Sequence, residues 1–136
     1  ASLQAQLDIQ RQAYAKRPRK YTLSAASTQK ARDALYLDGW RKKIEAVGNL
    51  NYPEQASRDG IYGNLRLLVA LRPDGSISDV RILSSSGYKV LDEAALRIVH
   101  LAAPFEAFPD SMKREVDILE IIRTWQFQQG NSFSSN

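Results

Sequence analysis

Cysteine is absent from this chain of 136 residues, and histidine occurs once. The first absence excludes disulfides, thiol chemistry and thiolate metal sites, and leaves the compartment open. No His/Asp/Glu set has the spacing of a metal centre. No run approaches the ~18 apolar residues of a membrane span, and no secretory signal pattern opens the chain. Its start, ASLQAQLDIQ, reads as an interior cut point, so an upstream anchor or signal would be missing here. Hydrophobic residues at 43% and charged residues at 25% fit one soluble domain with a modest core.

Catalytic motifs are missing as well. Ser84, Ser85, Ser86 and Gly87 resemble neither a nucleophile elbow nor a phosphate loop, and a Ser/Gly strand-to-helix turn is common structural punctuation. The adjacent acids Asp92 and Glu93 read as charges at a helix start. His100 falls about 180° from Leu91 at ~100° per residue, which turns it to solvent rather than to a pocket. The chain is not expected to be an enzyme, and no cofactor or metal is expected.

What is present is an uneven charge. Residues 1–32 hold seven Lys/Arg and one acid, a net +6, while residues 33–136 hold twelve and fourteen, a net −2. The basic excess belongs to an N-terminal arm, and the slightly acidic body argues against a nucleic-acid binder. Residues 1–16 offer a short helix through Leu3, Leu7 and Tyr14 with a thin apolar face. KRPRK (residues 16–20) follows, with Pro18 breaking any helix and four positive charges in five residues. Its default reading is a solvated linker, with contact to anionic lipid, peptidoglycan or nucleic acid as the alternatives.

The spacing of Leu37, Trp40, Ile44 and Val47 predicts a helix over residues 27–47. Ser24 or Ser27 is expected to cap its start, Gly48 to take the left-handed position after its end, and Gly39 to permit close packing beside Trp40. Arg41, Lys42 and Lys43 read as a solvated face. In residues 63–87, Leu65, Leu67, Val69 and Leu71 alternate onto one face, opposite Arg66 and Arg72. Pro73, Asp74 and Gly75 supply a turn, and Ile77, Val80 and Ile82 form a returning strand with an out-of-step position that predicts a bulge. A second helix carries Leu91, Ala94, Ala95, Ile98, Leu101 and Ala102 on one face and stops at Pro104. Residues 115–127, EVDILEIIRTWQF, predict a long last strand. Its apolar residues fall on both parities, which a bulge near Glu120 would reconcile. The tail GNSFSSN is expected to fray.

The order helix, strand, strand, helix, strand predicts an α+β domain. Its three-stranded antiparallel sheet has order 2-1-3, with two helices packed on one face and a helical or disordered N-terminal extension. The expected organisation is a basic arm at 1–26, the domain at 27–128 and a flexible tail at 129–136. Connectivity leaves the second and third strands as exposed edges, able to recruit another chain.

Four segments together carry a resemblance. They are Tyr52-Pro53-x-x-Ala56 within NLNYPEQA, the Pro73-Asp74-Gly75 turn with Val80 and Arg81, the run SSGYKVLDEAALRIVHLAAPF, and a last strand ending Thr124-Trp125-Gln126-Phe127. In this order and spacing they resemble the C-terminal domain of the TonB family of energy transducers, over roughly residues 33–128. The resemblance implies a periplasmic domain of an inner-membrane-anchored protein that grips outer-membrane transporters, as in siderophore and iron uptake. It implies capture of the transporter's TonB box as a strand added to the edge of the last strand, and force derived from the proton-motive force through an ExbB/ExbD-type motor. Peptidoglycan is a further expected contact, and nucleic acid is not expected. The family's Gln-Pro-Gln before Tyr-Pro is here Asn49-Leu50-Asn51, which keeps two of three amide side chains.

The partner-binding residues implied are Asn49, Asn51, Tyr52 and Pro53, with Asp117, Leu119, Ile121, Arg123 and Trp125 along the last strand. Two other readings are a TolA-like envelope scaffold and a nucleic-acid module using the basic arm with Tyr21, Trp40 and Tyr62. The Tyr-Pro motif and the LDEAALRIVHLAAPF run favour the TonB type over the first.

Overall fold

The computed structural model describes residues 2–6, 17–24 and 30–135. Within them lie β1 (Lys20–Leu23), α1 (Ala31–Leu50), α2 (Glu54–Asp59), β2 (Gly63–Leu71) and β3 (Ile77–Ser84). These are followed by α3 (Lys89–Ala102), α4 (Asp110–Lys113), β4 (Ile118–Gln128) and β5 (Ser132–Ser135). One five-stranded sheet runs β1-β4-β2-β3, and β5 also pairs with β4. β1 is parallel to β4, and every other pair is antiparallel. The central trio β3-β2-β4 has the expected order. The sheet as a whole is mixed rather than three-stranded and antiparallel, because two four-residue strands add to it. Of the early helix expected through Leu3, Leu7 and Tyr14, residues 3–6 are helical and exposed; Leu7, Tyr14 and Ser27 lie outside the described residues.

The β2–β3 hairpin forms where the sequence asks for it. Asp74 accepts from the Ser76 amide at 2.9 Å and from its hydroxyl at 2.6 Å, closing the turn locally. Gly75 has φ +87°, and a Cβ there would run into the Phe105 carbonyl. Glycine is thus required twice, for the backbone angle and for the approach of the segment after α3. That segment docks through Phe105 N to Gly75 O and Phe108 N to Pro73 O, each 2.9 Å. The expected bulge is present: Leu71 pairs with Ile77, whereas Ala70 pairs with Asp79, so Ser78 is the extra residue.

The core lies between one sheet face and the helices. α1 contributes Tyr36, Leu37, Trp40 and Ile44, and α3 contributes Leu91, Ala94, Ala95, Ile98, Val99 and Ala102. On α3, Val99 replaces the expected Leu101, which is 54% exposed. The sheet supplies Leu65, Leu67, Val69 and Leu71 from β2, and Leu119, Ile121, Trp125 and Phe127 from β4. These β4 residues share one parity. The β2–β4 register runs unbroken from Gly63↔Phe127 to Leu71↔Leu119, so no bulge is needed at Glu120. Ile118 and Ile122 face the other way and stay half-buried.

Two glycine expectations are corrected on α1. The helix continues through Gly48 to Leu50, and Gly48 is buried against the Phe133 ring, which a Cβ would overlap. Gly39 is exposed, and a Cβ there would meet only Glu106 Oε2 at 3.9 Å, so it does not serve close packing at Trp40. Lys30, not a serine, occupies the N-cap position, and its side chain makes no capping bond. The tail does not fray. Gly130 (φ +86°) and Asn131 (φ +59°) turn the chain, and Phe133 is 2% exposed. Its ring packs 5.2 Å from Trp125 and 5.1 Å from Phe127.

Candidate partner-strand site

β4 has eleven residues and two edges. One edge pairs with β2 at nine positions. On the other, β1 lies parallel against residues 118–121 and β5 antiparallel against residues 125–128. Residues 122–124 face no described strand on that side. The edge expected to stand open is therefore covered at both ends. The physical reason is the usual one: a row of unpaired N–H and C=O groups recruits whatever extended chain is within reach.

β1 is latched by the residue that precedes it, Arg19. The Arg19 guanidinium donates to Asp117 from Nε (3.2 Å) and Nη2 (3.1 Å), and to the Arg114 carbonyl from Nη1 (2.6 Å). The Arg19 amide adds a bond to Asp117 Oδ2 at 2.8 Å, and the Arg19 carbonyl accepts from the amides of Asp117 (2.9 Å) and Ile118 (3.2 Å). The bond from Arg19 draws the Asp117 carboxyl below its ordinary value. Glu115 is lowered in the same way by Arg32 (2.7 Å), then by Lys30 (3.2 Å). On one face of β1 Leu23 is fully buried; on the other, Thr22 donates to Glu120 at 3.1 Å.

β5 is held by the residues around Tyr-Pro. The Asn49 amide oxygen accepts from Phe133 N at 2.9 Å, and its nitrogen donates to Phe133 O at 3.2 Å and to Glu45 O at 2.7 Å. One side chain thus satisfies both backbone groups of Phe133, as a neighbouring strand would. The Tyr52 ring packs edge-on to Phe127 at 5.6 Å, its hydroxyl donates to Gln128 O at 3.4 Å, and burial raises its pKa. Asn51 caps the end of α1 through its amide nitrogen to Val47 O at 2.8 Å, and Pro53 is the buried N-cap of α2. Of the four, Asn49 and Tyr52 reach the edge, whereas Asn51 and Pro53 set the path of the chain.

Leu119, Ile121 and Trp125 are core residues, fully buried, and they offer the edge only their backbone. Arg123 shares their parity and is half-buried between the ends of β1 and β5. Its Nε is buried with no hydrogen-bond partner among the described residues. Burial, aided by Arg41, pulls its guanidinium below its ordinary pKa. The sequence reading passed over Arg19, Leu23 and Phe133. The alternation in KYTL and the lone aromatic in NSFSSN are the signals that mark them, each too short to stand alone.

The profile of the family described as Gram-negative bacterial TonB protein C-terminal matches residues 48–128. Comparison with curated proteins gives no match. The NMR solution structure of Helicobacter pylori TonB-CTD (residues 194–285) is similar at TM-score 0.52 and 22% identity, over 68% of this chain and 92% of that one. That of H. pylori TonB-CTD residues 179–285 is 23% identical over 76% and 98%, at TM-score 0.48. The first likeness supports the fold, and the profile, which spans more than half of the chain, carries the lineage. This chain belongs to the family of TonB protein C-terminal domains of Gram-negative bacteria.

Proposed function

We propose that this domain works in the periplasm as a protein-binding and force-transfer module. It captures the TonB box of an outer-membrane transporter as a strand added to β4, and so couples the proton-motive force of the inner membrane to that transporter. The force arrives through an upstream anchor and an ExbB/ExbD-type motor, and peptidoglycan is a further contact for the basic arm. No helix among the described residues is long and apolar enough to cross a membrane.

One observation carries this reading: the edge of β4 away from β2 takes short strands in both directions, β1 parallel and β5 antiparallel. An edge that pairs with such different sequences, KYTL and SFSS, draws on backbone complementarity more than on side-chain fit. At ~0.5–1.5 kcal/mol net per hydrogen bond, four or five such bonds make a grip that is useful and reversible. The test is an NMR titration with synthetic peptides copied from TonB boxes. Amides across residues 117–125 and around Tyr52 are expected to shift. Shifts confined to the basic arm, or none with several boxes, would exclude strand addition at β4.

A further inference from the structure

We propose that β1 is a resident competitor for the captured strand: Lys20–Leu23, latched by Arg19 onto Asp117 and the Arg114 carbonyl, occupies the N-terminal half of the β4 edge and must leave before a partner takes its place. This deepens the reading above and rests on it.

Several features mark β1 as a cover rather than a constituent. Among the described elements, β4 is the one on which it packs extensively. β5, by contrast, is tied to α1 through Phe133 and Asn49. Four register pairs hold it, against nine between β2 and β4. Its one fully buried side chain is Leu23. Beyond the backbone pairing, its polar hold is the Thr22–Glu120 bond and the Arg19 latch, whose ion-pair partners have side chains 55% and 44% exposed, reachable by water, salt and competing peptide groups. Removing β1 would uncover the backbone of residues 118–121 and join them to residues 122–124. That makes seven consecutive edge positions, against three without its departure.

Occlusion of this kind lowers apparent affinity by the fraction of molecules in which the edge is clear. The chain has no cysteine, so a single engineered pair can lock the cover in place. Thr22 and Glu120 are register partners whose side chains already meet on the open face, a placement suited to a cross-strand disulfide. In the Thr22→Cys/Glu120→Cys protein, oxidised and reduced forms are titrated with the same TonB-box peptides. Reduction is expected to tighten binding at least about tenfold, and Arg19→Ala in the otherwise unaltered chain by about two- to tenfold. At saturation, the amides of Tyr21, Thr22 and Leu23 are expected to move to random-coil positions. Equal affinity of oxidised and reduced forms, with peptide bound in both, overturns the competitor and leaves capture standing. Absence of binding in every form, Arg19→Ala included, overturns capture and the competitor together.

Discussion

Two glycines nine residues apart on α1 have opposite consequences. Gly48 is in contact with the Phe133 ring, and any side chain there must push β5 away from the helix. Gly39 is exposed on the same helix, where a Cβ would make only an ordinary contact with Glu106, and it contributes only backbone freedom. Gly39→Ala is therefore expected to stabilise the domain by about 1 kcal/mol, the difference in helix propensity. Gly48→Ala is expected to destabilise it by about 1–3 kcal/mol, the range for overpacking a filled contact. Urea unfolding midpoints of the two variants measure both, and equal shifts in one direction would refute the assignment. The sequence held no means of telling these glycines apart. Gly48 stood next to a plausible helix end, and its reason for being glycine lies 85 positions away in Phe133.

Elements of eight residues or more were legible, and shorter ones were not. α3 could be read because Leu91, Ala94, Ala95, Ile98 and Ala102 repeat the helical period over about three turns. The hairpin could be read because its turn chemistry is local, the Asp74 bond to Ser76 and the positive φ of Gly75. β1 and β5 span four residues each, too few for alternation to rise above chance, and their pairing is fixed by β4 rather than by themselves. The candidate site was half legible for the same reason. Asn49 and Tyr52 were identified as edge residues, but the strand they hold is the chain's own. Asn49→Ala removes the surrogate strand partner of Phe133. Its expected effect is faster hydrogen exchange at residues 132–135, with a global loss of about 0.5–1.5 kcal/mol for the hydrogen bonding removed. Unchanged exchange in β5 would show that the Phe133 ring alone holds it.

Over the whole molecule, charge and topology set how the fold responds to its surroundings. Asp38, Asp74, Asp79, Asp92, Glu115 and Asp117 all have carboxyls drawn below their ordinary values, five of them chiefly by hydrogen bonds from Arg, Lys or Ser. Asp92 is lowered by Ser85 and Ser86 against the opposing pull of burial. A carboxyl with a lower pKa folded than unfolded gives stability that is complete above the unfolded value and lost as pH falls through the folded one. Urea midpoints are thus expected to be level from about pH 7 to 5 and to fall below about pH 4, where the unfolded chain takes up the extra protons. A midpoint that rises on acidification would contradict this. Chain order adds a mechanical consequence. Tension entering from the N-terminal side reaches β1 before α1 and the rest of the core. It meets four pairs at β1 while nine pairs join β2 to β4 behind it. In the proposed force-bearing role β1 would act as a fuse: it would yield at low load, and the pull that bares the edge would leave intact the part of the sheet behind it.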